Sequence, residues 1–312
     1  MEGVRRWWQE LTGLVLPAEC AGCGRARTVL CPACRAALGG STPRRVRPLP
    51  EPPGLPAVHA AARYADEVRA VLLAHKERGA LALARPLGTA LAGAVRVGLG
   101  WGEVGVGEGP PPPGSGPGPG PVLLVPVPSA PKAVRARGHD PARRIALAAA
   151  GELRRAGVSV RVAAVLRQRR VVADQSGLNS RQRLENLVGA LVVVPGGARL
   201  LCGGSVVLVD DLVTTGASLA EAARAVRAAV AAERCAAGVA GAGAVVWTER
   251  DEGAAAVYGG VTREGRGVRR SGAREGGAGR LPAGPVGLAV AGDVVCAAVV
   301  AAPPDSFEIN RN

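Results

Sequence analysis

Apolar and polar positions fall in blocks whose period changes several times along the chain, and each change marks a predicted element. Between residues 58 and 97 apolar side chains recur at helical spacing, as Val68, Val71 and Leu72 and then Leu81, Leu83, Leu87, Leu91 and Val95. This predicts at least one helix, with two the better reading. Residues 122–127 (VLLVPV) form an apolar run too short for a helix; a charged loop over 131–140 and a helical pattern over 141–155 follow, with Pro141 at a first-turn position. A short strand over 160–166 leads into a polar segment at 167–186. The strand–loop–helix order then repeats: VVLV at 206–209, DDLVTTGAS at 210–218, and a helix over 219–232, with a last strand at 294–301. Apolar strands alternating with helices predict an α/β fold built on a mostly parallel sheet covered on both faces.

Segments of different composition interrupt this text. Residues 41–56 read as a Pro/Arg-rich spacer behind a small cysteine module, residues 98–121 as a Gly/Pro-rich loop, and residues from about 235 to 293 as a Gly/Ala/Arg-rich insertion without any period. The expected division is therefore a module and spacer over 1–56 and an α/β domain over 57–312, with the loop and a disordered insertion inside it.

Composition narrows the function classes. The chain has 312 residues, 48% of them apolar and 21% charged, which supports a real core and excludes wholesale disorder. With only 4 Trp, 2 Tyr and 1 Phe, that core must be aliphatic, and a base-stacking platform for single strands is not available. No run reaches the ~18–20 apolar residues a spanning helix needs. Trp7, Trp8, Gln9 and Glu10 break any signal-peptide core, so the expected location is cytoplasmic. The net charge of +14 rests on 39 cations of which only Lys76 and Lys132 are lysines; it permits a nucleic-acid partner without demonstrating one.

Cys20, Cys23, Cys31 and Cys34 form CxxC-x7-CxxC. Two such knuckles let four thiolates reach one tetrahedral Zn²⁺, and a module this small folds poorly without the metal. Paired disulfides and an iron–sulfur site are the alternatives; a reducing compartment disfavours the first and the plain knuckle spacing the second. Four protein ligands leave no open position, so the expected role is structural. Cys202, Cys235 and Cys296 are scattered and read as small buried hydrophobes. His59, His75 and His139 share no metal spacing, and the first two read as ordinary helix or loop residues.

The segment 206–218 carries the strongest chemistry. A strand that ends in two carboxylates and a small-residue bend, followed by a helix, can wrap backbone N–H groups round a phosphate while the helix points its positive end at the same anion. Gly216 permits close backbone approach, and Thr214, Thr215 and Ser218 add hydroxyls. Asp210 and Asp211 can accept hydrogen bonds from sugar hydroxyls or hold a hydrated Mg²⁺.

That loop resembles the 5-phosphoribosyl-1-pyrophosphate (PRPP) signature of type I phosphoribosyltransferases, and the wider pattern resembles the ComF group. The four-Cys module, VPVPSAPKAVRARGHDPARRIA at 125–146, DQSGLNSRQRLENLVGA at 174–190 and the PRPP-type loop stand in the order that group shows. The resemblance implies a type I phosphoribosyltransferase-like sheet with PRPP held by Thr214, Thr215, Gly216, Ala217 and Ser218, and with Asp210 and Asp211 as the catalytic acids. It implies a pyrophosphate loop at Pro126–Ser129, including Pro128 and Ser129, and a basic flexible region at Lys132, Arg135 and Arg137. Gln175, Arg181, Arg183 and Asn186 receive substrate or structural roles. The family usually places an aromatic and then Asn after Arg-Gly, where this chain has His139 and Asp140, an additional carboxylate beside a polyphosphate site. The implied activity is Mg²⁺-dependent transfer of the phosphoribosyl group to an unknown acceptor, in a setting of competence and DNA uptake. The alternative is a non-catalytic module that binds single-stranded DNA or a competence helicase and keeps a PRPP-type pocket.

Overall fold

Five short runs of aliphatic residues align side by side because both of their faces can be buried. In the structure, a computed structural model that describes residues 19–101, 120–170, 186–242 and 293–310, these five runs and one short polar edge strand build a six-stranded sheet. Its strands are β1 (Arg44–Val46), β2 (Val58–Arg63), β3 (Val122–Pro126), β4 (Val160–Val162), β7 (Ser205–Leu212) and β8 (Val294–Ala302), in the order β1-β2-β8-β7-β3-β4. Only β1 runs antiparallel to its neighbour; every other pairing is parallel. A separate two-stranded ribbon pairs β5 (Leu166–Gln168) with β6 (Leu191–Val193).

Alternate residues of each central strand enter opposite cores. Leu124, Val207, Val209, Ala298 and Val300 face one layer, and Leu123, Val125, Val206, Leu208 and Val299 the other. The first layer is covered by α2 (Asp66–Glu77), α3 (Ala84–Gly98) and α5 (Pro141–Arg155). The second is covered by α7 (Ala217–Ala242), which buries Leu219, Ala222, Ala223, Val226 and Val230 at helical spacing. Two short helices, α4 (Pro131–Arg137) and α6 (Gly197–Leu201), lie in the connections, and α1 (Pro32–Gly39) follows the cysteine knuckles. Among the described residues no helix is long and apolar enough to cross a membrane.

The α/β layering agrees with the sequence pattern, and several details differ from it. Residues 58–63 (VHAAAR) form a strand rather than helical text; their alanines lack the branching that signals a strand, and burial between two layers decides the matter. His59 accordingly lies on β2. The expected strand over 160–166 is two strands in two different sheets. The charged loop over 131–140 contains α4, and the spacer contributes β1. Strand β7 continues through both aspartates to Leu212, because β8 pairs with it as far as Ala301. Helix α7 runs past residue 232 to Ala242, which leaves Cys235 exposed on it rather than buried. Of the sequence expectations, those for 102–119, for 171–185 (Gln175, Arg181 and Arg183 included) and for 243–292 lie outside the described residues.

Candidate functional site

From β3 the chain moves outward to β4 and then returns to the other side of β3 as β7. Between β3 and β7 the direction of winding therefore reverses, and the loops leaving the carboxyl ends of the two strands part to leave a crevice, the usual ligand position in open α/β sheets. A cavity of about 410 Å³ opens there, lined by residues of both loops together with Lys76, Gln168 and Leu191. Of the residues expected from sequence, Pro128, Ser129, Arg137, Asp210, Asp211 and Ser218 line it. Lys132 and Arg135, exposed on α4, do not, and neither do Thr214, Thr215, Gly216 and Ala217, so that of the bend only Ser218 reaches the cavity.

The bend between β7 and α7 takes its shape from Gly216. Its φ of +74° is a left-handed conformation, and a Cβ there would lie 3.0 Å from Leu55 and 3.1 Å from Pro48. The spacer thus backs this bend from behind, and Arg227 of α7 holds it by donating to the Gly54 carbonyl at 2.8 Å. Thr215 Oγ1 accepts from the Ala217 amide at the start of α7, while Thr214 is exposed. The amides of Thr214, Thr215 and Gly216 meet no backbone acceptor among the described residues, so this bend retains free donors beside a helix N-terminus.

The acid pair is held asymmetrically. Asp211 is buried and receives Lys76 Nζ at 2.9 Å on Oδ2. Asp210 Oδ1 accepts the Asp211 backbone amide at 2.8 Å. Burial, and then the Asp211 charge, push the Asp210 carboxyl well above the usual carboxylate range, with Lys76 opposing. Burial draws the Lys76 ammonium down, and Asp211 and Asp210 more than offset it, so its affinity for the proton is raised. A half-buried carboxylate that favours its proton has room for a further partner, and a ligand hydroxyl or a hydrated divalent cation is suited to it.

The last turn of α2 holds both sides of the crevice. The His75 carbonyl faces His139 Nε2 at 3.2 Å, Lys76 takes Asp211, and Glu77 Oε1 accepts Arg137 Nη1 at 3.3 Å. Asp140 does not add a stray charge to the cavity. Its side chain caps α5 by accepting the Arg143 amide at 3.1 Å and accepts the Ser129 amide at 3.2 Å, so it fixes the turn after β3. A further clasp closes the opposite wall. Glu221 of α7 accepts the Leu191 amide at 3.0 Å and pairs with Arg224, which donates to the Leu191 carbonyl at 3.1 Å. Arg170 donates to the backbone carbonyls of Asn186 at 2.8 Å and Val188 at 3.1 Å. Lys76, Glu77, Glu221 and Arg224 lie outside any local motif, so sequence reasoning missed them.

The four cysteines converge as expected. Their sulfurs lie within 4.8 Å of one another, a set that could hold a structural metal such as zinc. Local folding brings them there. The Gly24 amide closes a turn onto the Cys20 carbonyl at 2.9 Å, and the Cys31 amide donates to Cys20 Sγ at 3.3 Å. Cys31 also caps α1. A Cβ on Gly22 would lie 2.7 Å from Cys34 Sγ, so only glycine fits the first knuckle. Burial raises the Cys20 thiol, and the amides of Cys23, Cys31 and Gly22 outweigh it, bringing it down to about 6. The module shares its core with the sheet layer, since Cys20, Leu30, Cys34 and Leu38 pack in one cluster with the helices of the first layer. Compared with known proteins, the chain matches no family model, no curated protein and no solved structure.

Proposed function

We propose that this protein is a ComF-like phosphoribosyltransferase that binds PRPP in the crevice between β3 and β7. The observation that carries the reading is the meeting, at one point of reversed winding, of two adjacent carboxylates, a second loop flanked by Arg137, and Ser218 at the end of the donor-rich bend. In this reading the bend at 214–218 takes the 5-phosphate on its free amides, as helix N-termini take anions. Asp210 and Asp211 accept the ribose hydroxyls, and Asp210, whose charge is disfavoured by burial and by Asp211, gains from such a donor. The Pro128–Ser129 turn and Arg137 border the diphosphate.

The reaction breaks the bond between ribose C1 and the diphosphate oxygen and forms one from C1 to an acceptor nucleophile, with pyrophosphate leaving. Residues of this chain contribute position and charge, the terms that dominate such transfers. Mg²⁺, for which the same two carboxylates are suitable oxygen donors, would neutralise the diphosphate. By the same resemblance the proposed setting is DNA uptake, in the cytoplasm. Calorimetry on the full chain with PRPP and Mg²⁺ tests the reading. Binding by the wild type and its loss in Asp210→Asn and Asp211→Asn is the expected result; unchanged affinity in both variants overturns the assignment of the acids.

A further inference from the structure

Lys76 has no place in the motifs that suggested the site, and it reaches that site from a helix outside the β3–β7 crossover. Its ammonium carries three N–H donors. One is spent on Asp211 Oδ2 at 2.9 Å, the side chain stays about a third exposed (36%), and the residue lines the cavity beside Ser129 and Arg137. The position is built rather than incidental. His75 and Glu77, on either side, are tied to His139 and Arg137, so the turn that presents Lys76 is fixed to the segment bordering the second loop. The chain favours arginine almost everywhere, with Lys132 its one other lysine. A planar guanidinium at position 76 would match a single carboxylate in a two-pronged pair and spend its donors there. A compact ammonium can bridge one carboxylate oxygen and an anion at once.

We propose that Lys76 is a ligand-contacting residue of this site, bridging Asp211 to the diphosphate oxygens of the ligand with the donors that Asp211 leaves free. The inference rests on the PRPP reading and adds to it a cation supplied from α2. It also explains how two carboxylates can border a polyanion: Lys76 neutralises one of them and offers the remaining positive field to the ligand.

Calorimetry on the full chain, with Mg²⁺ present and with PRPP, inorganic pyrophosphate and ribose 5-phosphate as separate titrants, tests it. Lys76→Met is expected to weaken PRPP and pyrophosphate by about tenfold or more, the scale of a lost charge-assisted hydrogen bond, while ribose 5-phosphate changes less than about twofold. Because Lys76→Met strands Asp211, Lys76→Arg, which keeps a cation beside that carboxylate, serves as the control for folding, and its guanidinium, committed to Asp211, is expected to weaken pyrophosphate as well. Pyrophosphate binding lost in a Lys76→Arg chain that still takes ribose 5-phosphate supports direct contact. Wild-type pyrophosphate affinity in Lys76→Met overturns the inference and leaves the PRPP reading standing. A wild-type chain that binds neither PRPP nor pyrophosphate removes both.

Discussion

A carboxylate held out of water beside a second one costs stability unless a proton, a cation or a donor answers it, and Asp210, half-buried and accepting the Asp211 amide, is placed in that position. The sign of the pH effect follows. A carboxyl raised above its unfolded value imposes no penalty below the ordinary carboxylate range, and the penalty grows as pH rises from there through the folded value. Asp210→Asn, which keeps an oxygen for the Asp211 amide, should therefore raise the melting temperature at pH 7 and leave it little changed near pH 3. The same substitution should abolish PRPP binding, so stability and ligand affinity move in opposite directions. A lower melting temperature at pH 7 would show that Asp210 braces the fold. At this scale the acids, Ser218, Pro128, Ser129 and Arg137 were legible because they sit in contiguous strings whose chemistry is local. Lys76 and Glu77 were not, since their partners are remote in sequence. Its rarity among 39 cations singled Lys76 out without indicating what it touches.

Helix α7 and the cysteine module each fasten a neighbouring element to the sheet. Glu221 is buried, and although burial raises its carboxyl, Arg224 and the Leu191 amide outweigh this and hold it below the usual range. Its contribution is present above the ordinary carboxylate pKa and is lost as pH falls through the folded value. Glu221→Ala leaves the Leu191 amide without its acceptor, and a loss of about 1–3 kcal/mol in denaturant titrations at pH 7 is expected, narrowing as the solution is acidified. A loss that does not depend on pH would assign the effect to packing alone. In the module, knuckle turns, the Cys31 cap and the shared core make the sulfur cluster part of the first layer. Metal analysis is expected to find about one Zn²⁺ per chain, and a strong chelator or Cys31→Ser to lower the melting temperature. A chain that melts at the same temperature with and without chelator would refute a structural metal. Helices with clear periodicity, such as 141–155, were legible. Strand β2 was not, because Ala60, Ala61 and Ala62 carry no strand signal and only their burial between layers fixes them.

Taken whole, the molecule uses residues far apart in sequence to shape one crevice. Leu55 and Pro48 from the spacer pack behind the Gly216 bend, the end of α2 holds the acid pair and Arg137, and the β5–β6 ribbon is clasped to α7. The strand–loop–helix repeats announced a parallel sheet, but the order of its strands depends on which edge each crossover takes, and no local pattern records that choice. The position of reversed winding was therefore visible only in the folded chain. Whether this crevice grips a sugar diphosphate is decided by a crystal structure of the full chain grown with PRPP and Mg²⁺. The expected density places the 5-phosphate on the amides of 214–218, the ribose hydroxyls on Asp210 and Asp211, and the diphosphate between Lys76, Ser129 and Arg137. Ligand density elsewhere on the molecule, with this crevice empty, would contradict it.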